Sequence, residues 1–296
     1  MELEHLITPA NVVAGVLALI PFLAAAFFPE RMAGRVGGLP VWIRYFCPAL
    51  LSLPYVLVTC FAGSFRWEWF ALYAALPVAV AILLGQAARI DASQRGNWRD
   101  FLILAVLGLA VDLRWFEAAW PARLAIFNKV LLLDAGIYGF VQVRNLNGTG
   151  FDLRLRMRDV GIGLREVVFY TPIALALGLS LGFLHFHGVW PSPGSFAGAW
   201  IFTFFFIAVP EELFFRGWLQ NLLERRMGRY PALLLTSVLF GLAHFNKRAV
   251  HFNWRYVILA AVAGFFYGRA WRRDRRVGAS AVTHASVDAI WSLWLK

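Results

Sequence analysis

Charge is what this chain has least of. Only 15% of its 296 residues are Asp, Glu, Lys or Arg, where a soluble domain carries about a quarter. Apolar residues fill the deficit, at 60% of the sequence and a mean hydropathy of +0.64. Cysteine is nearly absent as well. Cys47 and Cys60 fall on one expected helix, about 20 Å apart by helical rise. That separation excludes a disulfide, and both read as small core residues. The HExxH pattern of a metal-binding helix is missing. No serine or cysteine is expected to act as a nucleophile. The amino-terminal MELEHLITPANVV has neither a basic n-region nor a cleavage site after its apolar stretch, so the first apolar segment is expected to stay as a span.

What is present is a series of apolar runs, each able to cross a hydrocarbon layer of about 30 Å as helix. Ten are expected, at roughly 9–28, 41–62, 69–87, 101–118, 124–143, 167–186, 198–226, 230–246, 254–271 and 278–295. The fourth is the weakest, because Asp112 and Arg114 interrupt it. The runs do not alternate with period two, and lipid requires backbone groups to be satisfied within each segment. The expected fold class is therefore all-α, a polytopic membrane bundle of about eight to ten transmembrane helices.

The net charge of +11 would suggest nucleic acid in a soluble protein. Here the arginines gather in connecting loops: RRDRR (Arg272 to Arg276), RRMGR (Arg225 to Arg229), and Arg144 through Arg165. They share one side of the expected alternation. By the positive-inside rule that side is cytoplasmic, with both termini outside an inner or plasma membrane. No accessible domain offers a basic face, so nucleic acid is excluded as a partner and the lipid bilayer is the expected surrounding. The loop with Lys247, Arg248 and Arg255 runs against the pattern.

The chain is expected to divide into three parts. Residues 1–148 form amino-terminal spans with no assigned role. Residues 149–166, with alternating Leu and Arg, form a cytoplasmic or interfacial connector. Residues 167–296 hold nearly all the unusual chemistry. In the first part Asp134 stands out and is expected to pair with Lys129 or with a polar group on a neighbouring helix. The HxH of His185 and His187 is a weak metal signal and reads as an interfacial loop beside Trp190.

FFFIAVPEELFFRGWLQ, from Phe204 to Gln220, places three ionisable groups between phenylalanine runs. Each costs about 2.5–3.5 kcal/mol at a helix centre in lipid, so they need partners or a wet cavity. Glu212 and Arg216 are spaced i, i+4 with the acid first, the better order for an ion pair. Glu211 is turned about 100° away. One acid is thereby paired and its neighbour left for another task, which separates the roles of two adjacent carboxylates. FGLAHFN sets Phe240 and His244 one turn apart, with Gly241 thinning the helix for close approach. THASVDAIW sets His284 and Asp288 on one face of the last span. Pro210 is expected to kink the helix beside Glu211. Water activated by a carboxylate, with histidines sharing protons and stabilising an oxyanion, suits amide hydrolysis.

Together EELFFR, FGLAH and HASVD resemble the three motifs of the CPBP family, also called the Abi or CAAX-protease family: EExxxR, FxxxH and HxxxN or HxxxD. The likeness covers roughly residues 150–296 and leaves the first five spans outside it. Family members are intramembrane glutamate-dependent endopeptidases, including those that trim prenylated CAAX proteins. The resemblance implies that Glu211 activates the attacking water with help from His244. His284 and Asp288 would line the oxyanion side, and Glu212 with Arg216 would hold the helix, supported by Phe240. Where the last motif position is asparagine, its amide can donate to an oxyanion. An ionised Asp288 would orient His284 instead, leaving His284 as the direct oxyanion partner. The implied substrate is a membrane-associated polypeptide. No cofactor is expected, with a zinc-dependent variant kept as the alternative. A non-catalytic scaffold or immunity-type protein of the same family is the second reading, and a proton-coupled transporter the third.

Overall fold

In a membrane, backbone groups find their partners within a helix, and the described residues form helices and turns without a strand. The computed structural model describes residues 8–186, 190–247 and 251–295. The amino-terminal MELEHLI, His187 of the HxH pair and Arg248 lie outside the described residues. In chain order the helices are α1 (Pro9–Phe27), α2 (Pro29–Gly38), α3 (Val41–Phe61), α4 (Trp67–Ile90), α5 (Trp98–Asp112), α6 (Ile126–Val143), α7 (Met157–Ser180), α8 (Pro193–Met227), α9 (Arg229–Leu242), α10 (Trp254–Asp274) and α11 (Val277–Trp294). Every one but the short α2 overlaps an expected run.

By length and composition α1, α3, α4, α6, α7 and α8 can each cross a membrane. The protein is a multi-pass, all-helical membrane protein. The other four expected spans fall short for separate reasons, α10 because Arg255, Arg269, Arg272 and Arg273 dilute it. α5 stops at Asp112 after 15 residues, about 22 Å of rise, and the chain turns at Arg114 with a positive φ of 56°. α9 is apolar but has only 14 residues. α11 has 18 residues, yet His284, Asp288 and several serines dilute it. It tolerates them because Val277 through Ser286 are all buried within protein.

The chain forms two compact units, Met1–Asn147 and Gly148–Lys296. The first holds α1 to α6 and an aromatic core. Tyr55 stacks on Tyr73 at 5.3 Å, and Trp120 meets Tyr55 edge-on at 5.6 Å. The Tyr73 hydroxyl accepts from Trp120 Nε1 at 2.7 Å and donates to Asn128 Oδ1 at 2.9 Å, so the buried polar tips are paired. α5 starts from a reciprocal cap: Asn97 Oδ1 accepts from Arg99 N, and Asp100 Oδ2 accepts from Asn97 N. Arg144 reaches the same acid at 3.0 Å and Asp91 at 2.7 Å.

Two expectations fail in this unit. Asp134 is buried, and neither carboxylate oxygen has a hydrogen-bond partner among the described residues. Lys129 is exposed, because five residues of helix turn it about 140° away. Nor are the cysteines core residues: Cys60 is exposed, and Cys47 is half-buried with its Sγ 3.0 Å from the Tyr138 hydroxyl.

The second unit holds α7 to α11. α7 begins at Met157, well before the expected start at 167, so much of the expected connector is its first turns. The cause is a tertiary one that local pattern does not show. Asp159 Oδ2 accepts from Arg156 N at 3.0 Å and closes the helix start, while its Oδ1 takes Arg276 Nε at 2.9 Å. The residues before α7 are strapped to the turn between α10 and α11. Thr149 O accepts from Trp271 Nε1 at 3.2 Å, and Gly150 O accepts from Val277 N at 2.9 Å. At Gly150 φ is +69°, and a Cβ would lie 2.0 Å from the Arg275 carbonyl oxygen, so no other residue fits.

Asp152 belongs to the same strap. Burial pushes its carboxyl up, but hydrogen bonds from Arg154 and Arg276 outweigh burial and hold it at about 2, below the usual 3.8. A depressed carboxyl stabilises the fold when ionised, so its contribution is complete above the unfolded value near 4 and lost as pH falls through about 2. Acid titration of detergent-solubilised protein, followed by near-ultraviolet circular dichroism, should show stability falling across that window. Asp152→Asn should flatten this part of the curve, and an unchanged curve would remove Asp152 from the account.

α9 and α10 approach closely at Gly241. A Cβ there would stand 2.5 Å from the Val257 carbonyl oxygen and 2.7 Å from the Ala261 Cβ. Gly241→Val should therefore cost about 1–3 kcal/mol through overpacking, read as a lower thermal midpoint. An unshifted midpoint would mean that the two helices separate freely.

Candidate active site

α8 carries the paired acids through a backbone that is not a plain α-helix. Phe204–Ala208 and Leu213–Gln220 are π-helical, with one α-helical turn, Val209–Glu212, between them. Where Pro210 suggested a kink, the helix widens on both sides. Proline lacks the N–H that an α-helix would use there, and π segments recur at functional sites.

Glu212 is fully buried and has three partners. Arg216 Nε lies 3.1 Å from its Oε2, the Ser280 hydroxyl donates to the same oxygen, and His284 Nδ1 donates to Oε1 at 2.8 Å. Arg216, also fully buried, donates from Nη2 to Gly264 O at 2.8 Å. Its guanidinium lies 4.6 Å over the Phe240 ring and 5.5 Å over the Tyr267 ring, faces that favour a desolvated cation. The expected i, i+4 pair is present, and it does more than hold α8. It fixes the imidazole of α11.

Glu211 points elsewhere, as its turn about the helix requires. Its side chain is 26% exposed, with Oε1 3.6 Å from Lys247 Nζ and Oε2 3.9 Å from His284 Nε2. His284 Nε2 also lies 3.6 Å from Asp288 Oδ2. The His284 ring is clamped by Tyr267, stacked at 4.6 Å, and by the edge-on Phe240 at 5.7 Å. His284 thus hydrogen-bonds Glu212 through one nitrogen and turns the other toward Glu211 and Asp288.

His244 follows the last turn of α9. Its Nδ1 donates to Phe240 O at 2.8 Å, which leaves Nε2 as the lone-pair nitrogen. It shares the lining of a cavity of about 70 Å³ with His284, Asp288, Phe183, Tyr256 and Trp291. The space suffices for a few waters, and its walls are mostly apolar.

Glu211, Glu212, Arg216, His284 and Asp288 thus meet at one locus, with His244 and Phe240 on its border. Three neighbours were not assigned to the site from the sequence. Ser280 had a signal, since it precedes His284 by four residues and shares its face. Tyr267 and Lys247 had none beyond their residue types. The string GLSLG, Gly178 to Gly182, has the spacing of a serine nucleophile elbow. It ends a helix instead, and Ser180 Oγ donates to Leu177 O at 3.0 Å, away from this locus.

Among the described residues no group of three or more His, Cys, Asp or Glu is placed to hold an ion. Glu212, the acid nearest His284, already serves Arg216, Ser280 and His284.

Residues 193–290 match the family model described as type II CAAX prenyl endopeptidase Rce1-like. The matched stretch is about a third of the chain and contains Glu211, Glu212, Arg216, His244, His284 and Asp288. It is the CAAX-protease family that the three motifs resemble. The match points to CAAX-protease-type activity on a membrane-associated substrate. No curated protein and no solved structure matches the chain.

Proposed function

We propose that the unit matched by the CAAX prenyl endopeptidase model is an intramembrane endopeptidase that cuts a membrane-associated polypeptide with a carboxylate-activated water. The observation that carries this reading is the placement of His284 Nε2, 3.9 Å from Glu211 Oε2 and 3.6 Å from Asp288 Oδ2. Both gaps exceed a hydrogen bond, and catalytic contacts commonly tighten once substrate binds.

In this mechanism Glu211 takes a proton from water while His244 Nε2 accepts a hydrogen bond from it. The hydroxide adds to the scissile carbonyl, and the oxygen's developing charge is met by a proton on His284 Nε2. Glu212, on Nδ1, fixes the ring's orientation. Asp288 holds the Nε2 proton in line until the oxyanion forms. Glu211 then returns its proton to the leaving amine and the C–N bond breaks. The arginine-rich loops face the cytoplasm of an inner or plasma membrane, with both termini outside.

The test is a purified assay in detergent against candidate membrane peptides. Wild-type protein should cleave, chelators should leave the rate unchanged, and His284→Ala should lower kcat by about 100-fold or more. Loss of cleavage on chelation would replace this mechanism with a metal-dependent one. Failure to cleave any candidate would favour the scaffold reading.

A further inference from the structure

Lys247 sits in the loop that runs against the charge pattern, and its surroundings give it another use. It follows His244 by three residues, and its backbone is held from both sides. Its N–H donates to His244 O at 3.2 Å, and its carbonyl accepts from Asn253 Nδ2 at 3.2 Å. Asn253 is itself fixed, donating from its backbone to Phe245 O at 2.8 Å and accepting from Tyr256 N at 3.3 Å to cap α10. This turn delivers the ammonium to 3.6 Å from Glu211 Oε1. The other oxygen of the same carboxylate faces His284.

The pair differs from the buried one beside it. Lys247 and Glu211 side chains are 37% and 26% exposed, against none for Arg216 and Glu212. Ion pairs this exposed add little to stability, so a structural role gives weak reason for the arrangement. A base at the rim needs something else. A glutamate side chain turns about three bonds and must present one particular oxygen to the reacting water, and small misplacements cost rate steeply.

We propose that Lys247 is a positioning residue for the reaction, holding Glu211 Oε1 so that Oε2 faces His284 and the substrate carbonyl. The role rests on the proteolytic reading and gives the loop between α9 and α10 a share in the site. The charged groups around Glu211 then form a sequence. Lys247 engages one oxygen and His284 stands at the other, with Asp288 beside the same imidazole nitrogen and Glu212 on the far one.

Two measurements on the full-length protein test this. A carbodiimide treatment should join Glu211 and Lys247 in an isopeptide bond with loss of water, found by mass spectrometry in wild type and absent in Glu211→Gln and Lys247→Arg. Its absence from wild type would overturn the placement. In the cleavage assay Lys247→Met should lower kcat by about 10- to 100-fold with KM nearly unchanged, and Lys247→Arg should restore most of the rate. A Lys247→Met enzyme with wild-type kcat sinks this proposal alone, since Glu211-dependent cleavage would still stand. A defect confined to KM that vanishes on amidating the peptide's carboxy terminus also overturns it, making Lys247 a substrate anchor. If wild type cleaves nothing, the proteolytic reading falls and takes this role with it.

Discussion

Glu211→Gln removes cleavage, lowering kcat by about 100- to 10,000-fold, in a protein that still folds and melts near the wild-type temperature. The amide keeps the shape of the side chain but cannot take a proton from water. The stability cost is small because Glu211 is partly exposed and its ion pair with Lys247 lies at the rim. The measurement is cleavage and thermal midpoint on the same detergent preparation. Activity within tenfold of wild type would take the base role away from Glu211. A collapsed midpoint would make Glu211 a structural acid instead.

Glu212→Gln gives the reverse pattern, with loss of stability as its first effect. It strands the fully buried Arg216, whose remaining hydrogen bond is to Gly264 O, and breaking one side of a buried pair costs about 3–5 kcal/mol. The thermal midpoint and the yield of inserted protein should both fall sharply. Arg216→Lys should not rescue, because an ammonium cannot span Glu212, Gly264 O and two ring faces as the planar guanidinium does. Activity per folded molecule also drops, since the Nδ1 partner of His284 is altered. A Glu212→Gln protein as stable as wild type would show that Arg216 finds another partner.

The contrast between the two acids was legible in the sequence because helical geometry alone decides it. Residues four apart share a face, so Glu212 with Arg216 and His284 with Asp288 could be read from spacing. Helix positions were equally legible, since apolar length needs no tertiary information. What did not show were contacts made across helices. The i, i+4 rule says that Glu212 meets Arg216 but not that Ser280 and His284 converge on the same carboxylate from α11. The early start of α7 depends on Arg276, more than a hundred residues away. Asp134 was misjudged for the opposite reason: a nearby lysine in sequence suggested a partner that the helix turns outward. Lys247 read as a topological exception because a charge count has no knowledge of what the charge faces.

The widened backbone of α8 has a consequence for how the helix keeps its bearings. Trp200 Nε1 donates to Ser286 Oγ at 3.0 Å, and Glu212 is bonded to His284, so α8 is moored to α11 at two points only two residues apart on the latter. The segment Phe204–Ala208 lies between the two moorings on α8. A π turn takes up an extra residue relative to an α turn, and each residue rotates a helix by about 100°. Relaxing that segment to an α-helix with every residue kept would swing Glu211 and Glu212 away from His284 whenever Trp200 stayed in place, whereas deleting a single phenylalanine there would let it relax with the two moorings still aligned. The widened turn acts as a vernier, bringing two fixed marks on one helix into line with two on the other.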